Sequence, residues 1–124
     1  MNAGDVFQFQ GVAERHAWVI ISDPAVDPEH VLMVNFTTWD PHIDQACVLE
    51  PGDHPFITTR TCVNYPRAKE VSDDALEQLR AAAKLRILSP VSQEMLRRLR
   101  EGAMQSRMMP LELAEILIEQ GLVE

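Results

Sequence analysis

The amino-acid sequence predicts an α+β protein in which a small antiparallel β-barrel is followed by C-terminal helices. Three observations lead to this prediction. Short apolar runs separated by Pro, Gly and Asp fill residues 1–71, and apolar residues at helical spacing replace them from Ser72 onward. The chain has 124 residues, enough for one domain with a modest core. We therefore expect a single domain over residues 1–124, with a β-barrel module at 1–71 and a helical part at 72–124.

The predicted strands follow the apolar runs in order. Residues 5–9 alternate polar and apolar side chains, which is typical of a half-buried strand. Residues 17–21 are continuously apolar and suit a central strand, and residues 31–38 form an apolar run that ends in two threonines. Two further strands are expected at residues 46–49 and 61–65. Residues 56–59, between them, are expected to form a short strand or a single turn. Five or six short strands with tight loops indicate a small barrel or a strongly bent sheet.

Helical signals begin at Ser72, which can cap a helix whose first turn carries two aspartates. A second helix is expected after Ser89, because serine is a good N-cap and the following proline is tolerated at the first helical position. It would end near Gly102 or Ser106. A third helix would begin near Pro110, and its broad apolar surface is expected to pack on the barrel or on a second copy of the chain.

Charge is distributed unevenly in a chain whose net charge is −8. Residues 1–65 hold nine acids and two bases, whereas residues 66–124 hold ten acids and nine bases. Because nucleic-acid affinity rests largely on Lys and Arg at phosphates, the acidic first part argues against tight non-specific binding. Any function on nucleic acid must use a small local basic cluster.

Targeting signals are also absent from the sequence. The longest apolar run, residues 17–21, is too short to span a membrane, and no basic segment precedes an apolar one at the N-terminus. We therefore expect a cytoplasmic protein without membrane association. In that compartment Cys47 and Cys62 are expected to remain thiols.

Metal binding is one alternative source of chemistry, because His42, Cys47 and His54 lie close together in the sequence. Structural zinc sites usually present paired ligands two to four residues apart, and no such pair occurs here. We predict neither a metal nor another cofactor, although the spacing leaves convergence of these three residues open. The sequence also lacks a glycine-flanked nucleophilic serine and a phosphate-binding glycine loop.

A cluster of strand-end residues is the stronger candidate. Arg15 and His16 precede the strand at 17–21, Thr37 and Thr38 end the run at 31–38, and Arg67 follows the last strand. If these strand ends share one edge, a cation, an imidazole and two hydroxyls surround an anion such as a phosphodiester. The alternative is that the arginines are ordinary solvated cations and the threonines ordinary strand residues.

Four segments resemble, in order, the motifs of the MazF/PemK (Kid-like) toxins. They are residues 4–7 (GDVF), 14–22 (ERHAWVIIS), 34–38 (VNFTT) and 64–67 (NYPR). The family shows a GD(I/V) opening, an R-P-x-x-V-I-S strand, a strand ending in T-S or T-T, and a D-Q-[I/P]-R segment. The resemblance covers roughly residues 4–100, and it lies in the order and spacing of motifs that are individually common.

The resemblance implies an SH3-like barrel, usually a homodimer, that cleaves single-stranded RNA without metal and is covered by an antitoxin. Arg15 would correspond to the catalytic arginine, and Thr37 or Thr38 to the threonine that contacts the scissile phosphate. His16 replaces the family's proline; it would either supply acid–base function or be a packed strand-end histidine. The predicted RNA-binding residues are Arg67, which matches the family's last arginine, Asn64, which replaces an acid, and His54, whose loop would line the same groove. The alternative for His54 is a buried histidine without contact to RNA.

The sequence thus predicts a MazF/PemK-like toxin of a toxin–antitoxin or related stress or defence system, acting as a metal-independent endoribonuclease. The alternative is a catalytically inactive barrel of the same fold that binds a protein partner. The acidity of residues 1–65, the altered arginine motif and the apolar last helix favour that alternative. A small metal- or nucleotide-binding regulator is a third interpretation.

Overall fold

The computed structural model describes residues 1–13 and 15–123, so Glu14 of the second motif and Glu124 lie outside the described residues. Over these residues the chain forms seven strands, three α-helices and one 3-10 turn, which confirms the α+β class. The strands are β1 Val6–Phe9, β2 Trp18–Ile20, β3 Val31–Thr38, β4 Val48–Leu49, β5 Thr61–Val63, β6 Lys69–Val71 and β7 Leu85–Leu88. The helices are α1 Asp73–Ala81, α2 Gln93–Gln105 and α3 Leu111–Glu119, and the 3-10 turn is Tyr65–Arg67.

The strands pair antiparallel in the order β4-β5-β3-β2-β1-β7, and β6 pairs with the first half of β3. Within residues 1–13 and 15–123, no pairing joins β4 to β7, so the sheet is not closed into a barrel. β3 is the centre of the sheet, because its eight residues pair with β2, β5 and β6. The segment at 56–59, between β4 and β5, is a turn rather than a strand.

Both faces of β3 are buried. Leu32, Val34 and Phe36 lie in one apolar cluster with residues of α2 and α3, whereas Val31 and Met33 lie in a second cluster with residues of α1 and β7. Successive side chains of a strand point to opposite faces, so burial on both sides requires a continuous apolar run. Apart from the buried Asn35, the sequence of β3 has this form until its two terminal threonines, where the strand reaches the surface.

Strand β7 interrupts the part that the sequence predicts as helical. Ala83, just after α1, lies in the left-handed region at φ 57°. Its N–H donates to Arg80 O at 3.0 Å, and Lys84 N–H donates to Leu79 O at 2.9 Å. These are the two bonds of a Schellman motif, in which glycine usually takes the left-handed position. With alanine there, the sequence does not mark the helix end, and the chain turns to pair β7 with the edge of β1.

Helix α2 begins later than predicted, because its N-cap is Ser92 and not Ser89. The Ser92 hydroxyl accepts a hydrogen bond from Met95 N–H at 3.1 Å. Of the two ends that the sequence suggests, Gly102 and Ser106, the second is observed, because the helix continues through Gly102 to Gln105 and Ser106 is its C-cap. None of the helices formed by the described residues is long and apolar enough to cross a membrane.

We expect Ser92→Ala to lower the free energy of unfolding by about 1 kcal/mol, because it leaves N–H groups of the first turn of α2 without the capping acceptor. Ser89→Ala is the matched control, since its hydroxyl caps no helix, and it is expected to change stability by less than about 0.5 kcal/mol. Urea denaturation of the two variants and the wild type measures both effects. Equal losses in the two variants would contradict this assignment of the N-cap.

Candidate active site

The pairing of β2 with β3 brings two of the predicted strand ends together. Trp18 lies opposite Asn35, so in an antiparallel pair the residues before Trp18 run beside those after Asn35. Phe36 N–H donates to Ala17 O at 3.0 Å, and His16 Nδ1 lies 3.1 Å from Phe36 O. The start of β2 and the end of β3 therefore meet at one place, which brings Arg15 and His16 to Thr37 and Thr38.

These four residues line an open cleft of about 360 Å³. Its lining combines one arginine, one histidine, five threonines and two phenylalanines. These residues are Arg15, His16, Phe36, Thr37, Thr38, Phe56, Thr58, Thr59 and Thr61. No carboxylate is among these described lining residues, although the protein is strongly acidic. The cleft therefore suits an anionic ligand.

Arg15 supplies the positive charge of the cleft. Its side chain is exposed, and none of the carboxylates in the described parts of the chain forms an ion pair with it. The other base of residues 1–65, Arg60, pairs with Glu50 at 2.8 Å and lies over the Trp39 ring. The backbone of Arg15 is held by the buried Gln8, whose Nε2 donates to Arg15 O at 2.8 Å. Arg15 thus combines a fixed backbone with an accessible guanidinium.

His16 is oriented by its contact with the backbone of β3. A carbonyl oxygen can only accept a hydrogen bond, so the contact between His16 Nδ1 and Phe36 O requires a proton on Nδ1. In the neutral ring this leaves Nε2 as the nitrogen with a lone pair. His16 is half-buried, so the ring combines a defined orientation with contact to the cleft. Such an imidazole can accept a proton from a ligand hydroxyl.

The structure does not bring Arg67 and Asn64 into this cleft. β5 runs antiparallel to β3, and it is the start of β5, at Thr61, that lies opposite Thr38. Arg67 follows the other end of β5, where Asn64 N–H donates to Asn35 O and Asn64 O accepts from Arg67 N–H. Of the three strand ends expected to meet, only the start of β2 and the end of β3 do so. The end of β5 lies further along β3, away from Thr38.

His54 does not line the cleft either; it holds the turn beside it. The ring is buried, with Nε2 2.5 Å from Ser89 O and Nδ1 accepting from Phe56 N–H at 3.0 Å. Both ring nitrogens are therefore bonded to backbone groups, which suits the neutral tautomer with the proton on Nε2. His54 fixes the position of Phe56, and Phe56 does line the cleft.

Metal binding finds no support in the geometry. Among the described residues, no group of three or more His, Cys, Asp or Glu side chains is placed to hold a metal ion, so His42, Cys47 and His54 do not converge. Cys47 and Cys62 are both buried free thiols, and burial raises the pKa of Cys47. A raised thiol pKa disfavours the thiolate that metal binding and nucleophilic attack require.

The segment before β5 forms a third wall of the cleft that the sequence does not predict. Phe56, Thr58, Thr59 and Thr61 belong to the segment that leads into β5, which the sequence suggests only as a turn or strand. Thr61 joins the cleft because it pairs with Thr38, and its hydroxyl donates to Thr59 O at 2.9 Å. The run of threonines around Arg60 is the signal that matches the threonines ending β3, but only the strand pairing shows that the two runs are adjacent.

No protein-family model matches the sequence, and none of the curated proteins is similar to it. The chemistry of the cleft, rather than membership of a family, is therefore the basis for assigning a function.

Proposed function

We propose that the protein is a MazF/PemK-like endoribonuclease that cleaves single-stranded RNA without metal in the cleft formed by Arg15, His16, Thr37 and Thr38. The observation that carries the proposal is the presence of a guanidinium, an oriented imidazole and several hydroxyls around one cleft whose described lining residues include no carboxylate, in an acidic protein. The proposal includes a bent sheet related to the SH3-like barrel, a homodimer, a cytoplasmic location and an antitoxin that covers the cleft.

The chemistry follows from the groups in the cleft. His16 Nε2 takes the proton of an RNA 2′-hydroxyl, whose oxygen attacks the adjacent phosphorus. Arg15 stabilises the negative charge that develops on the phosphorane, and the hydroxyl of Thr37 or Thr38 donates a hydrogen bond to one of its oxygens. The bond from phosphorus to the 5′-oxygen then breaks, and that oxygen takes up a proton from water. The products are a 2′,3′-cyclic phosphate and a 5′-hydroxyl, and no metal takes part.

Incubation of the purified protein with a mixed-sequence single-stranded RNA in excess EDTA tests this proposal. We expect cuts at a limited set of positions, with cyclic-phosphate and 5′-hydroxyl ends. His16→Gln retains a polar side chain but removes the imidazole base, and loss of a general base is expected to lower the rate about 100-fold or more. Absence of cleavage at high protein concentration, or cleavage that EDTA abolishes, would contradict the proposal.

A second candidate function is a catalytically inactive module that binds a protein partner, and it is favoured by one observation. Large apolar side chains are exposed at the end of α2, in the segment that follows it and on α3. These are Met104, Met108, Leu111 and Ile118, with Leu111 at 70% exposure. A protein that fails to cut RNA would direct attention to this surface.

A further inference from the structure

A second, smaller cavity lies next to the cleft, and Phe56 lines both of them. The second cavity has a volume of about 230 Å³. It is lined by His54, Pro55, Phe56, Arg86, Leu88 and Ser89. Phe56 is therefore the wall shared by two cavities, one with Arg15 and the other with Arg86. No role of the cleft proposed above uses Phe56 or Arg86.

The pairing of β1 with β7 places Arg86 beside Gln8, the residue that holds the backbone of Arg15. Arg86 lies directly opposite Gln8, and directly opposite residues of an antiparallel pair have their side chains on the same face, about 5 Å apart at Cβ. The Gln8 side chain is the one that donates to Arg15 O at 2.8 Å. Arg86 is exposed, and no carboxylate in the described segments of the chain forms an ion pair with it. Arg15 and Arg86 are thus two accessible cations whose positions are linked through Gln8, and whose cavities share Phe56.

Phe56 is displayed on a fixed turn. The ring is 38% exposed, and it is the most exposed of the described phenylalanines. Its own N–H donates to the buried His54 ring, and the next residue, Ile57, donates its N–H to His54 O at 2.9 Å and buries its side chain. An aromatic ring held in place at the surface loses little conformational freedom when a ligand stacks on it.

We infer that a single-stranded RNA crosses Phe56, with one base stacked on the Phe56 ring and the adjacent phosphate bound by Arg86. An aromatic platform between cations that follow the backbone is the general chemistry of single-strand recognition. The inference rests on the proposed function, because it places the scissile phosphate at Arg15 and the next phosphate at Arg86. It assigns Phe56 and Arg86 to substrate binding and not to the chemical step.

Binding of an uncleavable RNA tests this inference apart from catalysis. The probe is a fluorescent single-stranded RNA whose riboses are 2′-O-methylated, so that no 2′-hydroxyl can attack, and its Kd is measured at several salt concentrations. We expect Phe56→Ala and Phe56→Leu to weaken binding about tenfold, because leucine keeps the apolar bulk but not the stacking face, whereas Phe56→Trp retains affinity. Arg86→Gln is expected to reduce the slope of log K against log salt by about 0.7, the value for one phosphate on a single strand.

Arg107→Gln is the matched control, because Arg107 is an exposed arginine that lines neither cavity, and it is expected to leave affinity and salt slope unchanged. Circular dichroism and Tm confirm that each variant is folded. If Phe56→Ala and Arg86→Gln bind like the wild type while Arg15→Ala loses cleavage of unmodified RNA, this inference is wrong and the proposed function stands. If the wild type binds no RNA, both are wrong.

Discussion

Arg15→Ala is expected to lower the single-turnover rate of RNA cleavage about 100-fold or more at saturating RNA. The guanidinium is the only cation among the described residues that line the cleft, and removing one preorganised donor to a developing charge typically has an effect of about this size. Because the side chain is exposed, the substitution leaves the core intact. The rate is measured from the appearance of cyclic-phosphate ends, with Tm as a check on folding.

Two further variants separate the charge of Arg15 from its geometry. Arg15→Lys keeps a positive charge but loses the planar fork that binds two oxygens of a phosphate, so an intermediate rate is expected. Arg107→Ala removes an exposed arginine that lies outside the cleft and is expected to cleave like the wild type. Wild-type rates in Arg15→Ala would remove Arg15 from the chemical step.

Gly102→Ala is expected to lower the free energy of unfolding by about 2 kcal/mol, although alanine is the better helix former by about 1 kcal/mol. A Cβ at Gly102 would overlap Tyr65 Oη and lie 2.9 Å from Cys47 Cβ. Tyr65 is fully buried, and its hydroxyl donates to Leu99 O at 2.8 Å, so the ring cannot move aside without losing this bond. Thermal unfolding should show a fall in Tm of about 5–10 °C.

The same substitution in a Tyr65→Phe background identifies the cause. Removing the Tyr65 hydroxyl removes the closest overlap, so Gly102→Ala should cost less there than in the wild type. The exposed α2 residue Gln105 is the control position, and Gln105→Ala is expected to be nearly neutral. A Gly102→Ala protein as stable as the wild type would show that α2 and Tyr65 are not packed this closely.

The sequence predicts the strand positions and the N-cap of α1, because these features depend on strand period and on capping by side chains close in the chain. The strands β1, β2, β3 and β5 lie where period and composition place them, and Ser72 caps α1 as expected, with its hydroxyl accepting from Ala75 N–H at 3.1 Å. Antiparallel pairing of neighbouring strands also accounts for the meeting of Arg15 and His16 with Thr37 and Thr38. These features follow from residues close in the chain or on adjacent strands.

The features that the sequence does not predict depend on tertiary contacts. Gly102 resembles a helix end, yet glycine is required there because Tyr65 packs against the middle of α2. The residues of β7 follow an alanine-rich segment and extend its helical sequence pattern. They nevertheless form a strand, because the edge of β1 is available for pairing. Arg67 was expected at the cleft because the end of β5 was assumed to lie near Thr38, whereas the register places the start of β5 there.

The sequence leaves two interpretations of His54, a buried histidine or part of a loop that contacts RNA. The structure buries it, and its two ring nitrogens bond to backbone groups of Ser89 and Phe56. The first of these residues lies thirty-five positions away, so only the folded chain brings it to the ring. The phenylalanine beside the histidine, and not the histidine, is the side chain that reaches the cleft.

The most direct test of the central claim compares two RNA oligonucleotides that differ at one atom. One is an all-ribose strand containing a mapped cleavage position, and the other carries a single 2′-deoxyribose at that position; both are incubated in excess EDTA with the wild type and with Arg15→Ala. If the 2′-hydroxyl attacks and Arg15 stabilises the phosphorane, the wild type cuts only the first strand at that position and leaves a cyclic phosphate. Arg15→Ala is then expected to cut that strand about 100-fold more slowly. Cleavage of the deoxy-substituted strand at the same position, or equal rates for both proteins, would contradict the central claim.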